Sequence, residues 1–141
     1  MARTRSSYRG RLGEISVWGL MLTFYHATDL EIDTPNYDKL LEVSMTKTHQ
    51  DNGVMGLWCA YEDTWIREVH GSDVYTFEYE GNKISTTVEN LEHGTKEEMV
   101  SIRKSLLYAG FDYIEIIDVD TYEPYCAVIL NFDKIMGWRL L

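Results

Sequence analysis

Five short apolar segments, each bounded by turn-forming residues, most constrain the fold of this chain. They show the alternation or the apolar, aromatic-rich character of β-strands. In the first segment, "LMLTFYH", Leu20, Leu22, Phe24 and His26 fall on one side of an extended chain. We predict strands at Leu20 to His26, Leu57 to Tyr61, Val74 to Tyr79, Ile114 to Asp118 and Tyr125 to Leu130.

Helix signals lie between these segments. "TPNYDKLLEVSM" offers Thr34 as an N-cap before Pro35, and "EDTWIREVHG" is typical of a brief helix that ends at its glycine. "TKEEMVSIRKSLLYAG" has Thr95 and Glu98 at the spacing of a capping box and stops at Gly110. We therefore expect an α+β protein.

The connections between strands predict two antiparallel pairs. "DVYTFEYEGNKISTTV" is typical of a hairpin with glycine and asparagine at its turn. "FDYIEIIDV" and "YCAVIL", joined by "DTYEP", form the second predicted pair. Residues 1–14, "MARTRSSYRGRLGE", are polar and basic and predict a mobile arm, so a single domain is expected at 15–141.

Charge limits the partners that the protein can bind. The chain has 141 residues, with 13 Lys and Arg against 23 Asp and Glu, for a net charge of −10. Four of the arginines lie in the arm, which leaves the body more acidic still. Nonspecific nucleic-acid binding by the body is therefore disfavoured, and a basic protein suits the charge better.

The two cysteines predict the redox environment. Cys59 and Cys126 lie in apolar stretches without a CxxC spacing, which indicates buried thiols in a reducing cytoplasm. No segment resembles a signal sequence or reaches membrane-spanning length. We expect a soluble, cytoplasmic protein.

Common catalytic motifs do not occur in the sequence. No two glycines form GxG, nothing matches GxSxG, and the four histidines show no HxxxH or HExxH spacing. A dinucleotide fingerprint, a serine hydrolase and a zinc site therefore lack support, and no metal is expected. Cys59 and His26 could form a nucleophile pair, but a cysteine on an apolar strand is more often a packing residue.

Three segments together carry a family resemblance. They are "FYHAT", "GLWCAYED" and "AGFDYIEIID...EPYCAVILNFDKI", and the region from about 19 to 135 takes part. This pattern resembles the ADP-ribosyltransferase fold, particularly small divergent members encoded by phages, including anti-CRISPR-type ones that act against host defence. The resemblance implies a split two-sheet β core with flanking helices.

The resemblance also implies a site for NAD, used as a substrate. His26 would donate a hydrogen bond to a ribose hydroxyl, the Ala27 backbone and Thr28 would contact the nicotinamide amide, and Trp58 or Tyr61 would stack on its ring. Tyr25 and Gly56 complete the implied set. Read from the residues alone, a histidine at a strand end such as His26 is more often a structural hydrogen-bonder, and Trp58 is more often a core residue.

The catalytic acid implied by the resemblance is Asp118 first and Glu123 second. The position of the glutamate usual in the family falls at Tyr125 or Cys126, whereas divergent small members carry an aspartate at the place of Asp118. A carboxylate there would stabilise the positive charge that develops on the ribose. The alternatives are a turn-capping role for Asp118 and a solvated turn position for Glu123.

The resulting hypothesis is a mono-ADP-ribosyltransferase that modifies a protein, such as a nucleic-acid-binding host protein. Three alternatives remain open. The chain could be an inactive member of the fold that inhibits a partner by binding, with an acidic surface that mimics nucleic acid. It could be an NAD glycohydrolase that passes the ribosyl group to water, or a structural phage or host-interaction module without a ligand.

Overall fold

The computed structural model of the protein describes residues 21–28, 31–46, 52–63, 73–91 and 94–141. The arm at 1–14, residues 64–71 of the expected short helix, and His49, His70 and His93 lie outside the described residues.

Seven strands and three α-helices form within the described ranges. The strands are β1 (Leu22–Thr28), β2 (Leu57–Ala60), β3 (Asp73–Tyr79), β4 (Lys83–Thr86), β5 (Tyr113–Ile117), β6 (Pro124–Ile129) and β7 (Ile135–Leu140). The helices are α1 (Tyr37–Thr46), α2 (Val88–Leu91) and α3 (Lys96–Tyr108), and 3-10 turns occur at Asn52–Val54 and Phe132–Lys134. The α+β class and the five predicted strands are confirmed, with ends shifted by one or two residues.

The strands form one mixed sheet in the order β4-β5-β6-β2-β1-β3-β7. β4 and β5 are parallel, and every other neighbouring pair is antiparallel. The predicted pairing of β5 with β6 is confirmed. The predicted hairpin of β3 with β4 is wrong, because these strands lie far apart in the sheet order.

Asp112 explains why β4 leaves β3. The Asn82 amide donates to Asp112 Oδ2 at 2.8 Å, and the Asp112 amide donates to the Asn82 carbonyl at 2.7 Å. The Tyr79 hydroxyl, at the end of β3, donates to the Asp112 carbonyl at 3.1 Å. These bonds hold the link between β3 and β4 against the start of β5, so β4 continues beside β5.

An aromatic cluster shows that the sheet curls. Phe24, Phe77, Tyr79 and Tyr113 lie on one face, here called the aromatic face, with ring centroids 5.6 to 6.4 Å apart. Tyr79 on β3 contacts Tyr113 on β5 although three strands separate them in the order. The sheet must therefore bend around the aromatic face.

The opposite face, here called the helix face, packs against the helices. Ile114, Ile116 and Val128 contact a core that contains Met99 of α3 and Met55. Thr95 and Glu98 form the predicted capping box at the start of α3.

The start of α1 differs from the prediction. Asn36 Oδ1 accepts from the Lys39 amide at 3.0 Å, so Asn36 is the capping residue and not Thr34.

The connection between β1 and β2 is the narrowest in the sheet. These strands share a single register pair, Tyr25 with Ala60, whereas β1 and β3 pair along seven residues from Leu22 to Thr28. We expected two separate sheets, but the described strands form one continuous sheet that is nearly divided at this point.

Candidate functional site

The three sequence segments that suggested a site lie on four neighbouring strands. β1 ends in "FYHAT", β2 carries "LWCA", and the third segment spans β5 and β6. β2 pairs with both β1 and β6. β1 and β6 are therefore two strand spacings apart, about 10 Å. Segments distant in the sequence thus meet in one part of the sheet.

His26 bridges β1 and β2 through its side chain. Its Nδ1 lies 2.7 Å from the Trp58 carbonyl oxygen, and because a carbonyl only accepts, Nδ1 carries the proton. The ring is half-buried and its centroid lies 6.5 Å from that of Trp138. The hydrogen bond fixes the tautomer and the ring orientation where the ladder between β1 and β2 is short.

The predicted NAD-binding residues divide between the two faces of the sheet. The alternation of β1 places His26 and Thr28 on the side of Phe24, which is the aromatic face. Tyr25 packs with Ala27 on the other side, and Trp58 packs against the core of the helix face. The Trp58 ring and the His26 ring therefore do not share a face.

Tyr61 lies on the same face as His26. Its ring packs edge-on against Phe24, with centroids 5.0 Å apart. Its hydroxyl donates to Glu115 Oε2 at 3.4 Å. Burial raises the pKa of the Tyr61 phenol most, and electrostatic interactions with Tyr113 and Glu115 raise it further. Of the two predicted stacking residues, Tyr61 is the one that shares the aromatic face with His26.

Gly56 has a packing role. A Cβ at this position would overlap the backbone oxygen of Ile129 and press on Val128. The backbone at Gly56 thus approaches β6 more closely than any side chain permits, and this contact explains the glycine without a ligand.

Asp118 and Glu123 lie at the two ends of the turn between β5 and β6. Asp118 Oδ1 accepts from the amides of Asp120 at 2.8 Å and Thr121 at 3.1 Å. The Asp118 amide donates to the Glu123 carbonyl at 2.9 Å. Asp118 is half-buried and Glu123 is exposed. The carboxylate of Asp118 therefore shapes the turn.

The turn and His26 differ in position along the strands. A register shift between Ile116 and Ile117 interrupts the alternation of β5, so the face of Asp118 does not follow from that of Ile114. The strand registers place Glu115 of β5 level with His26 of β1. Asp118 lies three residues beyond Glu115 along the chain, about 10 Å in extended backbone. A ligand shared by His26 and Asp118 would have to extend along the sheet.

Glu115 is a buried acid that sequence reasoning did not select. Ser85 Oγ donates to its Oε1 at 2.8 Å, and Lys83 Nζ lies 3.1 Å from Oε2. Ser85 and Lys83 belong to β4, whose pairing was mispredicted, and Tyr61 donates to the same carboxylate from beyond β2, so no local pattern predicts the cluster.

Cys59 is not a nucleophile in this fold. Its Sγ donates to the Leu57 carbonyl at 3.4 Å, and the residue is 2% exposed. Burial raises the pKa of the thiol well above its usual value, so the thiolate form is disfavoured. Burial also raises the pKa of Cys126 to about 12, and both thiols are free. The expectation of buried thiols is confirmed.

A groove lies between residues 31–36 and α1, and we name it the α1 groove. It has a volume of about 380 Å³ and is also lined by Leu57 and Phe132. The Ile32 amide donates to the Tyr75 hydroxyl at 2.9 Å, and Trp138 Nε1 donates to the Ile32 carbonyl at 2.9 Å. Trp138 therefore contacts the groove at Ile32 and also lies beside the His26 ring.

The described residues were compared with the requirements of a metal site and of a membrane-spanning helix. In the part of the chain that the structure describes, no three His, Cys, Asp or Glu side chains come together to hold a metal ion. None of the helices in the same ranges has the length and apolar character needed to cross a membrane.

These features define an α+β protein with one curled, mixed seven-stranded sheet. Neither a known protein family nor a curated protein matches the chain. A solved structure described as the crystal structure of an anti-CRISPR protein is similar, with a TM-score of 0.50 and 11% sequence identity. The likeness covers 86% of this chain and 96% of that one. At this identity it shows a shared fold.

Proposed function

We propose that this protein is a mono-ADP-ribosyltransferase that consumes NAD and modifies a protein. The observation that carries the proposal is the adjacency of β1, β2, β6 and β5, because the three segments of the family resemblance lie on these neighbouring strands. The proposed cleft lies on the aromatic face, beside the narrow connection between β1 and β2.

The proposed reaction requires a carboxylate near the ribose. The bond between nicotinamide and ribose C1′ breaks, nicotinamide leaves, and a nucleophile of the acceptor protein bonds to C1′ and loses its proton to solvent. Positive charge develops on the sugar, so a carboxylate stabilises the transition state more than the ground state. Asp118 is the proposed acid, because two backbone amides hold its Oδ1 in a fixed position.

His26 is the proposed contact for a hydroxyl of the NAD ribose that lies farther from Asp118. Because Nδ1 already donates to the Trp58 carbonyl, the neutral ring presents Nε2, which accepts from that hydroxyl and does not donate to it as the resemblance implied. The hydrogen bond to the Trp58 carbonyl fixes the orientation of the ring, so the imidazole need not be ordered when NAD binds. Tyr61, which Phe24 and Glu115 hold, is the proposed stacking residue for nicotinamide. Glu123 remains the second candidate acid, because it lies in the same turn and is exposed.

The test is incubation of the purified protein with NAD labelled in its adenylate part and a bacterial lysate. We expect a labelled protein band with the wild type. Asp118→Asn should lower the labelling rate by about 100-fold or more, because it removes the charge that acts in the transition state. Binding of NAD should change little.

The matched control is Asp120→Asn, which removes the same charge from the same turn. This variant and Glu123→Gln should label at close to the wild-type rate. If Glu123→Gln is the inactive variant, the acid is Glu123. Full labelling by both Asp118→Asn and Glu123→Gln would contradict the mechanism, and free ADP-ribose without a labelled band would indicate a glycohydrolase.

A second candidate function is inhibition by binding alone. The likeness to the anti-CRISPR protein and the net charge of −10 favour it, because an acidic surface can occupy a basic site that normally holds nucleic acid. In this case the protein would protect phage DNA from CRISPR interference in cells, and Asp118→Asn would protect equally well. Loss of protection in Asp118→Asn, with Asp120→Asn unaffected, would support the enzyme instead.

A further inference from the structure

The α1 groove has no part in the proposed reaction, yet part of its apolar lining is exposed to solvent. Leu40 and Val43 of α1 line it together with Ile32 and Leu57, of which Leu57 is buried and Leu40 and Ile32 are half-buried. Val43 is 43% exposed although it belongs to the lining. An apolar side chain from another molecule could therefore be buried there.

Carboxylates surround this apolar lining. Glu31 and Asp33 line the groove together with Lys39, and Asp38 and Glu42 are exposed on α1. Residues 31–46 carry four carboxylates against one ammonium, and Lys96 Nζ donates to the Ser44 carbonyl of α1 from outside this range. The potential at the groove favours cations and disfavours nucleic acid or acidic peptides.

The groove is held in shape by contacts outside it. Tyr75 and Trp138 fix the backbone of Ile32 through the two hydrogen bonds described above. On the other side, the Arg103 guanidinium lies 3.4 Å from the ring centroid of Tyr37, the first residue of α1, whose hydroxyl donates to the Val54 carbonyl. Because both walls are anchored, a partner would bind without paying for their ordering.

We propose that the α1 groove docks a cationic segment of a partner protein. An apolar side chain of the segment packs between Leu40, Val43 and Leu57, and flanking Lys or Arg side chains pair with Glu31 and Asp33. Such segments are common on nucleic-acid-binding proteins, which use them to contact phosphates. This docking goes beyond the proposed transfer reaction, because it does not require NAD.

The probe is a short fluorescein-labelled peptide of alternating arginine and leucine, measured by fluorescence anisotropy at low ionic strength. We expect saturable binding by the wild type. Glu31→Lys combined with Asp33→Lys should weaken binding by about tenfold or more, since two attractive contacts become repulsive. Val43→Ser should weaken it by about threefold, because the apolar anchor loses a partner.

The matched control is Glu89→Lys combined with Glu97→Lys, which changes the net charge equally at exposed positions on α2 and α3. Equal weakening by both double variants would reduce the effect to general charge attraction and overturn the proposal. Failure of the wild type to bind, or equally tight binding of a peptide of alternating glutamate and leucine, would also overturn it. Thermal melts verify that each variant is folded.

Discussion

Asp112 is a buried carboxylate whose partners are fully defined. It is 6% exposed, and its oxygens accept from the Asn82 amide, the Asn131 side chain and Lys134 Nζ. Burial alone would raise the pKa of Asp112, but these hydrogen bonds and the positive charge of Lys134 outweigh it and hold the pKa below its usual value. The pairing therefore stabilises the folded state while Asp112 is ionised.

Acid should weaken the fold through Asp112. A carboxyl group with a lowered folded-state pKa contributes stability above its unfolded pKa, and that contribution disappears as the pH falls through the folded value. The free energy of unfolding should therefore fall more steeply below about pH 4 in the wild type than in Asp112→Asn. Urea titrations at several pH values measure this difference, and parallel pH profiles would contradict it.

Asp118 has a structural role in the turn and a proposed role in catalysis, and two substitutions distinguish these roles. Asp118→Asn keeps an oxygen that can accept from the amides of Asp120 and Thr121, so the free energy of unfolding should match that of the wild type. Asp118→Ala removes the acceptor and should cost about 1 kcal/mol. Chemical denaturation compares the three proteins. A large loss in Asp118→Asn would mean that the charge itself is structural.

At the scale of single residues, local roles could be predicted and distant partners could not. The turn-capping alternative for Asp118 follows from its place between two strands, and the structure contains those bonds. The contacts of Glu115 with Lys83 and Ser85 depend on the pairing of β4, which no local pattern specifies.

At the scale of elements, β2 depends on close contact with β6. Gly56→Ala would force the two backbones apart at Ile129, and overpacking of this kind costs about 1–3 kcal/mol or more. We expect a loss of at least that size in thermal or urea unfolding. A variant as stable as the wild type would show that β2 can shift without cost.

Apolar runs identified the elements but not their neighbours. Five strands and the capping box of α3 were predicted because their signals are local. β7 was missed because its pattern of burial does not alternate and Gly137 interrupts it with a φ of 66°. β4 was paired wrongly because Asp112, some 30 residues away, fixes its position.

At the scale of the whole molecule, the curled sheet determines what the site can be. It brings β1, β2 and β6 together and leaves only one register pair between β1 and β2. The alternation of β2 points Trp58 toward the helix face, so the proposed cleft relies on His26 and Tyr61. The α1 groove is lined by residues outside the proposed NAD-binding set.

The central claim is that three segments on neighbouring strands form one NAD cleft. Nuclear magnetic resonance of the isotope-labelled protein during an NAD titration to about 1 mM tests it most directly. We predict that the signals of His26, Tyr61 and residues 118–123 shift together along a single saturation curve, with the signal of Val43 unchanged. The absence of shifts at that concentration, or shifts confined to the α1 groove, would contradict the claim.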